Sequence, residues 1–509
     1  MCRLCEASKN SGHSEGRRDF LKMAAATGAV AASMPLLAGG AQAAAHSEST
    51  QTKMPENVGN ATRRTLIKGG AVMSMDPSVG DLPVGDVLLE GKRIIEIAPS
   101  ISVGDDVAVI DAKGKVVMPG FIDTHHHQFE TALRSFLADG ILINDGQPHS
   151  KFNYYESILQ NFSLHYRTED VYINELFAGL SQLDAGVTTV MDVSQIHHSP
   201  EHSDAAVLGL KDAGRRGVFG YFEGWGDRAQ YPQDASRLRQ QHFSSDDQLT
   251  SMVMGGEIYL PGYEEAWRIG RDLNLPIALH VVGTFGMADT FDQLARDGQF
   301  GSDNIFIHMT GMSDMAWQAA ADAGAHVSLS VPIEMTMRHG MPPIQKCLDL
   351  GLQPSLSSDV ECTMTADPFT QMRSTMTLQR AFANERALAG EDNLPALLTA
   401  RDCIRFHTLE GARGLKLDHK VGSLAPGKEA DIVLLDAEAI NVTPLNHVPG
   451  AVVTLMERNN VDTVLVAGKI RKWQGKLVDV DVNHLRGQLE ASRDYLFEAA
   501  GIEQDLFRA

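Results

Sequence analysis

Met118-Pro119-Gly120-Phe121-Ile122-Asp123-Thr124-His125-His126-His127 is the stretch from which the fold can be read. The apolar run Val116-Val117-Met118 is broken by Pro119-Gly120. A second apolar pair, Phe121-Ile122, then runs into three histidines. Side chains alternate faces along a strand, so His125 and His127 project together and His126 projects to the other side. Two imidazoles on one face at the end of a buried strand make half of a metal site. The remaining ligands must come from elsewhere in the chain.

C-terminal to this stretch, short apolar runs alternate with amphipathic segments. Candidate strands cover 187–191, 217–221, 251–254, 276–280, 304–308, 326–330 and 353–357, which with Phe121-Ile122 makes eight. Helical patterns such as 262–274 and 312–323 lie between them. Eight strand–helix units over about 300 residues predict a (β/α)8 TIM-like barrel, whose chemistry sits at the C-terminal strand ends. The connection between the first two strands, including 135–167, is too long for a plain crossover and is expected to lie over the barrel mouth as a lid. The fifth strand ends in His280, the sixth in His308 and the eighth runs into Asp359. Four strands of one barrel thus deliver His or Asp to the same rim, which points to a shared metal site.

N-terminal to the histidines, 63–117 reads as short strands and turns, and similar strands return only in 421–480. Neither block supplies a full sheet pair, so the two chain ends are expected to build one small β-sandwich domain around the barrel, 118–420, with a helical tail over 481–509.

Further upstream, Arg17-Arg18-Asp19-Phe20-Leu21-Lys22 precedes a mild apolar run, and Ala41-Gln42-Ala43 offers a cleavage site. Residues 1–45 are therefore expected to be a twin-arginine signal peptide, directing a folded protein to the periplasm or outside the cell, and 46–62 a polar linker. The run is weakly hydrophobic for a membrane span, so no stable membrane insertion is expected after the signal is removed.

The chain has 509 residues, 43% hydrophobic and 21% charged, with a formal net charge of −21. That charge argues against nucleic acid or anionic membranes as partners. A small-molecule substrate and a homo-oligomeric assembly are expected. Of the five cysteines, Cys2 and Cys5 fall in the expected leader, and the other three form no disulfide framework.

The segments PGFIDTHHHQFETALR and HTLEGARGLKLDHKVGSLAPGKEADIVLLD, with β-blocks on both sides of a barrel, resemble the amidohydrolase superfamily. Within it the chain is most similar to the branch containing cytosine, guanine and adenosylhomocysteine deaminases and the triazine hydrolases, over about residues 63–480. The resemblance implies one divalent metal, Zn2+ or alternatively Fe2+, held by His125, His127, His280 and Asp359. His308 would contact the attacking water or substrate oxygen, and Asp359 would carry the proton. No lysine follows the fourth strand where two-metal relatives bridge, which implies a single metal. Deaminases of this branch place a glutamate three residues after the strand-five histidine, where this chain has Gly283. That departure favours hydrolysis of a cyclic amide, imide or related heterocycle, with deamination of a pyrimidine-, purine- or triazine-like ring as the alternative. A barrel that only binds is the reading from a different class. Rim position nominates Gln128, Arg134, Trp225, Glu257, Glu334 and His339 as substrate residues.

Overall fold

The structure, a computed structural model, describes residues 53–507. The expected signal peptide and residues 46–52 of the linker lie outside the described residues.

Five strands open the described chain: β1 (Arg64–Met73), β2 (Asp81–Glu90), β3 (Arg93–Ala98), β4 (Ala108–Asp111) and β5 (Lys115–Pro119). The barrel follows as β6 (Phe121–His126), β7 (Val187–Ser194), β8 (Arg216–Tyr221), β9 (Thr250–Gly255), β10 (Ile277–Val282), β11 (Asn304–Thr310), β12 (His326–Leu329) and β13 (Ser355–Leu356). Strands β14 (Ile432–Asp436), β15 (Val461–Val466), β16 (Lys469–Trp473) and β17 (Lys476–Leu477) then rejoin the first five.

The barrel strands lie in sequence order, each parallel to the next. A parallel bridge between His126 and Asp359 links the two ends of this sheet. Strands β6, β7, β8 and β11 are buried along their whole length, as expected where helices cover one side and the barrel interior the other. The two β-blocks form one mixed sheet of nine strands, ordered β17-β16-β15-β14-β5-β1-β2-β3 with β4 against β1, so the halves of the expected sandwich are hydrogen-bonded to one another. β14 joins them by pairing antiparallel with β5.

Gly120 marks the change of sheet between β5 and β6. A Cβ built there would lie 2.2 Å from the Thr188 side chain of β7, so only glycine allows this junction to approach β7 so closely. The eighth strand is shorter than its apolar pattern suggests. After Leu356 the chain bends to the first strand, where Asp359 N–H donates to the His125 carbonyl and His127 N–H donates to the Asp359 carbonyl, both at 2.9 Å.

The long β6–β7 connection contains the turn Gln128–Leu133, further short turns to Tyr166, and the helix Thr168–Asp184. The C-terminal helix Val482–Ala499 packs on it: Phe497 meets Phe136 and Phe162 edge-on at 5.6 and 5.1 Å, and the Arg167 guanidinium sits 3.6 Å from the Tyr495 ring centre.

Candidate metal centre

Three imidazoles converge at the C-terminal rim. The Nε2 atoms of His125 and His127 are 3.0 Å apart, and those of His280 lie 3.1 and 3.3 Å from them. Ligands about 2.0–2.1 Å from a tetrahedral ion sit about 3.3 Å from one another, so this spacing suits a shared cation. Asp359 Oδ1 lies 3.6 Å from the Nε2 of both His125 and His127, and Asp359 Oδ2 has no hydrogen-bond partner. Donor type, spacing and the free carboxylate oxygen all fit a divalent metal, and the His125–His127–His280 and His125–His308–Asp359 groups could each hold one.

The surroundings fix which ring nitrogen faces inward. His127 Nδ1 donates to the Val193 carbonyl at 3.0 Å, and His280 Nδ1 donates to Glu257 Oε1 at 2.6 Å. With Nδ1 protonated, each ring directs its Nε2 lone pair at the centre. Burial, reinforced by the neighbouring imidazoles, holds His125 and His127 well below the usual histidine range, so both are neutral donors at neutral pH. Burial also acts to lower His280, but Glu257 outweighs it and the net shift is upward. His126 projects to the other side, its Nδ1 2.8 Å from the Asp359 carbonyl.

His308 is oriented differently. Its Nε2 lies 3.4 Å from Asp359 Oδ2, too poorly aligned for a hydrogen bond. Nδ1 faces Glu334 Oε1 at 3.1 Å. Burial raises the Glu334 carboxyl well above its ordinary range, against the Ser330 main-chain N–H it accepts; this favours an O–H donated to Nδ1 and so a proton left on the His308 Nε2. His308 and Asp359 both adopt left-handed backbone, with φ of 68° and 63°. For residues other than glycine this costs on the order of 1–3 kcal/mol each. A bulge at Met309, where β11 gains a residue against β10, turns His308 toward the axis. Burial pushes Asp359 up to about 7, against the opposing effect of His280.

The sequence-derived set His125, His127, His280, His308 and Asp359 is thus brought together. The nominated substrate residues are mostly elsewhere. Only His339 lines the cavity beside this centre, its ring 4.6 Å from that of His308. Glu257 and Glu334 stand behind histidines, each held by an imidazole instead of facing the cavity. The Gln128 amide donates to Glu175 at 2.7 Å and accepts from Arg215, because the turn after β6 carries it beneath the rim. Arg134 pairs with Glu361 at 2.7 Å and lies over Phe177. Trp225 is 44% exposed on a turn whose main-chain N–H donates to His198. Sequence reading missed Tyr154, Gln195 and Tyr259, which do line the cavity, and Glu223, which bonds two of them. Gln195 and Glu223 follow the ends of β7 and β8 by one and two residues, so the same rim rule would have found them.

Residues 275–471 match the model of the amidohydrolase family. A 5'-deoxyadenosine deaminase of Methanosarcina barkeri is 26% identical over 434 residues, covering 82% of this chain and 94% of the relative. A 5-methylthioadenosine/S-adenosylhomocysteine deaminase of Desulfitobacterium hafniense is 26% identical over 446 residues, covering 83% and 95%. Among solved structures, an adenosine deaminase from Xanthomonas campestris with bound zinc superposes with a TM-score of 0.72 at 22% identity, covering 86% of this chain and 99% of that one. A mutant atrazine chlorohydrolase from Arthrobacter aurescens, complexed with zinc and atraton, gives 0.73 at 18% identity, covering 84% and 100%. The amidohydrolase match over residues 275–471, the similar deaminases and the donor geometry at the rim of this barrel together mark the chain as a hydrolase acting on carbon–nitrogen bonds other than peptide bonds.

Proposed function

We propose that the protein hydrolyses a carbon–nitrogen bond in a small cyclic amide, imide or related heterocycle, using one divalent metal held by His125, His127, His280 and Asp359. Zinc is the favoured ion: the donor set of three imidazoles and a carboxylate suits it, although Fe2+ accepts the same set. When bound, the ion supplies Lewis acidity that lowers the pKa of water toward about 7. Asp359 takes the proton from the attacking water through its unpartnered Oδ2 and returns it to the departing nitrogen. The His308 Nε2–H donates to the substrate oxygen as negative charge develops there. Glu257 and Glu334 hold the two rings in the required tautomers.

The observation that carries the cyclic-amide reading is the packing at Gly283. A Cβ there would lie 3.1 Å from the Gly311 Cα, the Gly311 carbonyl oxygen and the Thr310 carbonyl oxygen. These are backbone atoms, so any side chain here would push the ends of β10 and β11 apart by a few tenths of an ångström, and the glycine that fits supplies no carboxylate to protonate a ring nitrogen. A carbonyl carbon that the metal and His308 polarise directly needs no such donor. Deamination is the second reading, favoured by the names of the similar deaminases. A panel of cyclic amides and aminoheterocycles, assayed for ring-opened acid and for ammonia, separates the two. Ring opening is the expected result, and ammonia release with the cyclic amides inert would reverse the assignment.

The place of action is proposed to be outside the cytoplasm, on the strength of Arg17-Arg18 ahead of a weak apolar run.

A further inference from the structure

The cavity beside the metal centre is walled by Leu142 and Leu159 from the β6–β7 connection, Val282, Phe285 and Met287 at and after β10, and Met337. Among the described residues no lysine or arginine lines it. Apart from the metal-centre residues it presents few polar side chains, and two tyrosines are already engaged: Tyr154 donates to Glu130, and Tyr259 donates to Glu223 Oε1, both at 2.5 Å.

Gln195 has its amide orientation imposed. Nε2 donates to Glu223 Oε1 at 2.9 Å and to the Tyr259 hydroxyl oxygen at 3.1 Å, which uses both of its protons. Oε1 is left buried with no partner. His339 is similar. Its main-chain carbonyl accepts from the Thr310 and Thr284 hydroxyls at 2.7 and 3.2 Å, which pins the loop, while neither ring nitrogen has a partner. Buried polar atoms without partners are rare because each forgoes its water, so two such groups in one cavity call for a ligand that satisfies them.

We propose that the cavity selects an uncharged heterocycle, docking a ring N–H on Gln195 Oε1 and a second polar ring edge on the His339 imidazole, with its substituents against the apolar walls. Glu223 is a positioning residue that fixes the Gln195 amide. This rests on the hydrolase reading for the reacting bond only. An acid group on the substituent would be buried without a cation, and burying an unpaired charge is strongly unfavourable.

The test compares matched rings on the metal-loaded protein by calorimetry and by turnover. One pair is 5-phenylhydantoin and 5-(4-carboxyphenyl)hydantoin; the other is 2-amino-6-phenylpyrimidin-4(3H)-one, which also carries a ring N–H, and its 6-(4-carboxyphenyl) counterpart. The neutral member of at least one pair should bind about 100-fold or more tightly than its acid. Equal binding, tighter binding of the acid, or binding of neither neutral ring overturns the proposal. Preferential binding without any turnover would sink the hydrolase reading and leave the selectivity standing. Gln195→Met, similar in length but without the acceptor, should weaken binding of the preferred ring about tenfold. His339→Leu should do likewise and serves if Gln195→Met does not fold. Glu223→Gln should raise KM more than it lowers kcat. Wild-type affinity in both the Gln195 and His339 variants would refute the anchors.

Discussion

Glu257 and Glu334 both sit behind a histidine yet do opposite jobs. Glu257 accepts from His280 Nδ1 and so leaves Nε2 as a bare donor, whereas protonated Glu334 gives its hydrogen to His308 Nδ1 and leaves Nε2–H. Glu257→Gln should therefore lower metal affinity about 10- to 100-fold, read by competition with a chelator. Glu334→Gln can still donate an amide N–H and should keep most of the activity. Glu334→Leu cannot, and should lose at least about tenfold in kcat, because the donor His308 presents to a developing charge is then free to change tautomer. Asp359→Asn should cost about 10²-fold or more in turnover after normalising to bound metal. The convergence of His125, His127, His280, His308 and Asp359 was legible in the sequence, because buried strands read as apolar runs and each run led to its His or Asp. The tasks of Glu257 and Glu334 were not. Both residues are acidic and near strand ends, and only the distance to an imidazole separates a residue that orients a ligand from one that touches substrate.

At the scale of elements, the eight barrel strands followed from hydrophobic runs at regular spacing. The shortness of β13 did not, because a main-chain exchange with β6 draws Asp359 across and ends the strand after Leu356. The β6–β7 connection could be recognised as a cover by its length, but not by what holds it in place. Its aromatic side chains meet Phe497 of the C-terminal helix, more than 300 positions away. Phe497→Ala should cost about 3–5 kcal/mol in urea unfolding if the helix and the cover melt together with the barrel. KM should rise as well, since Leu142, Tyr154 and Leu159 of this connection wall the cavity. A loss of stability with KM unchanged would separate the helix from the site.

Across the whole molecule, Arg216 at the start of β8 joins the barrel to the mixed sheet. It is almost fully buried and bonds Glu429 at 2.9 Å and Asp431 at 3.0 and 3.1 Å. Arg216→Met leaves two buried carboxylates short of a partner and should destabilise by about 3–5 kcal/mol in a denaturant melt. The pair also predicts a direction with pH. Burial acts to raise Glu429, but Arg216 and Lys92 outweigh it and hold the carboxyl below its ordinary range. A carboxyl depressed in the folded state adds stability that is present above its unfolded pKa of about 4.3 and disappears as pH falls through the lower folded value. The acid limb of stability should flatten in Arg216→Met. Replacing Arg17 and Arg18 with lysine should trap the precursor in the cytoplasm, and unchanged export would remove the twin-arginine assignment. The most direct test of the metal-centre chemistry is elemental analysis of the purified protein beside its His280→Ala variant. One divalent ion per wild-type chain, lost together with activity in the variant, is the predicted result. No metal in active protein, two ions per chain, or full retention in the variant would contradict a single centre built on these four ligands.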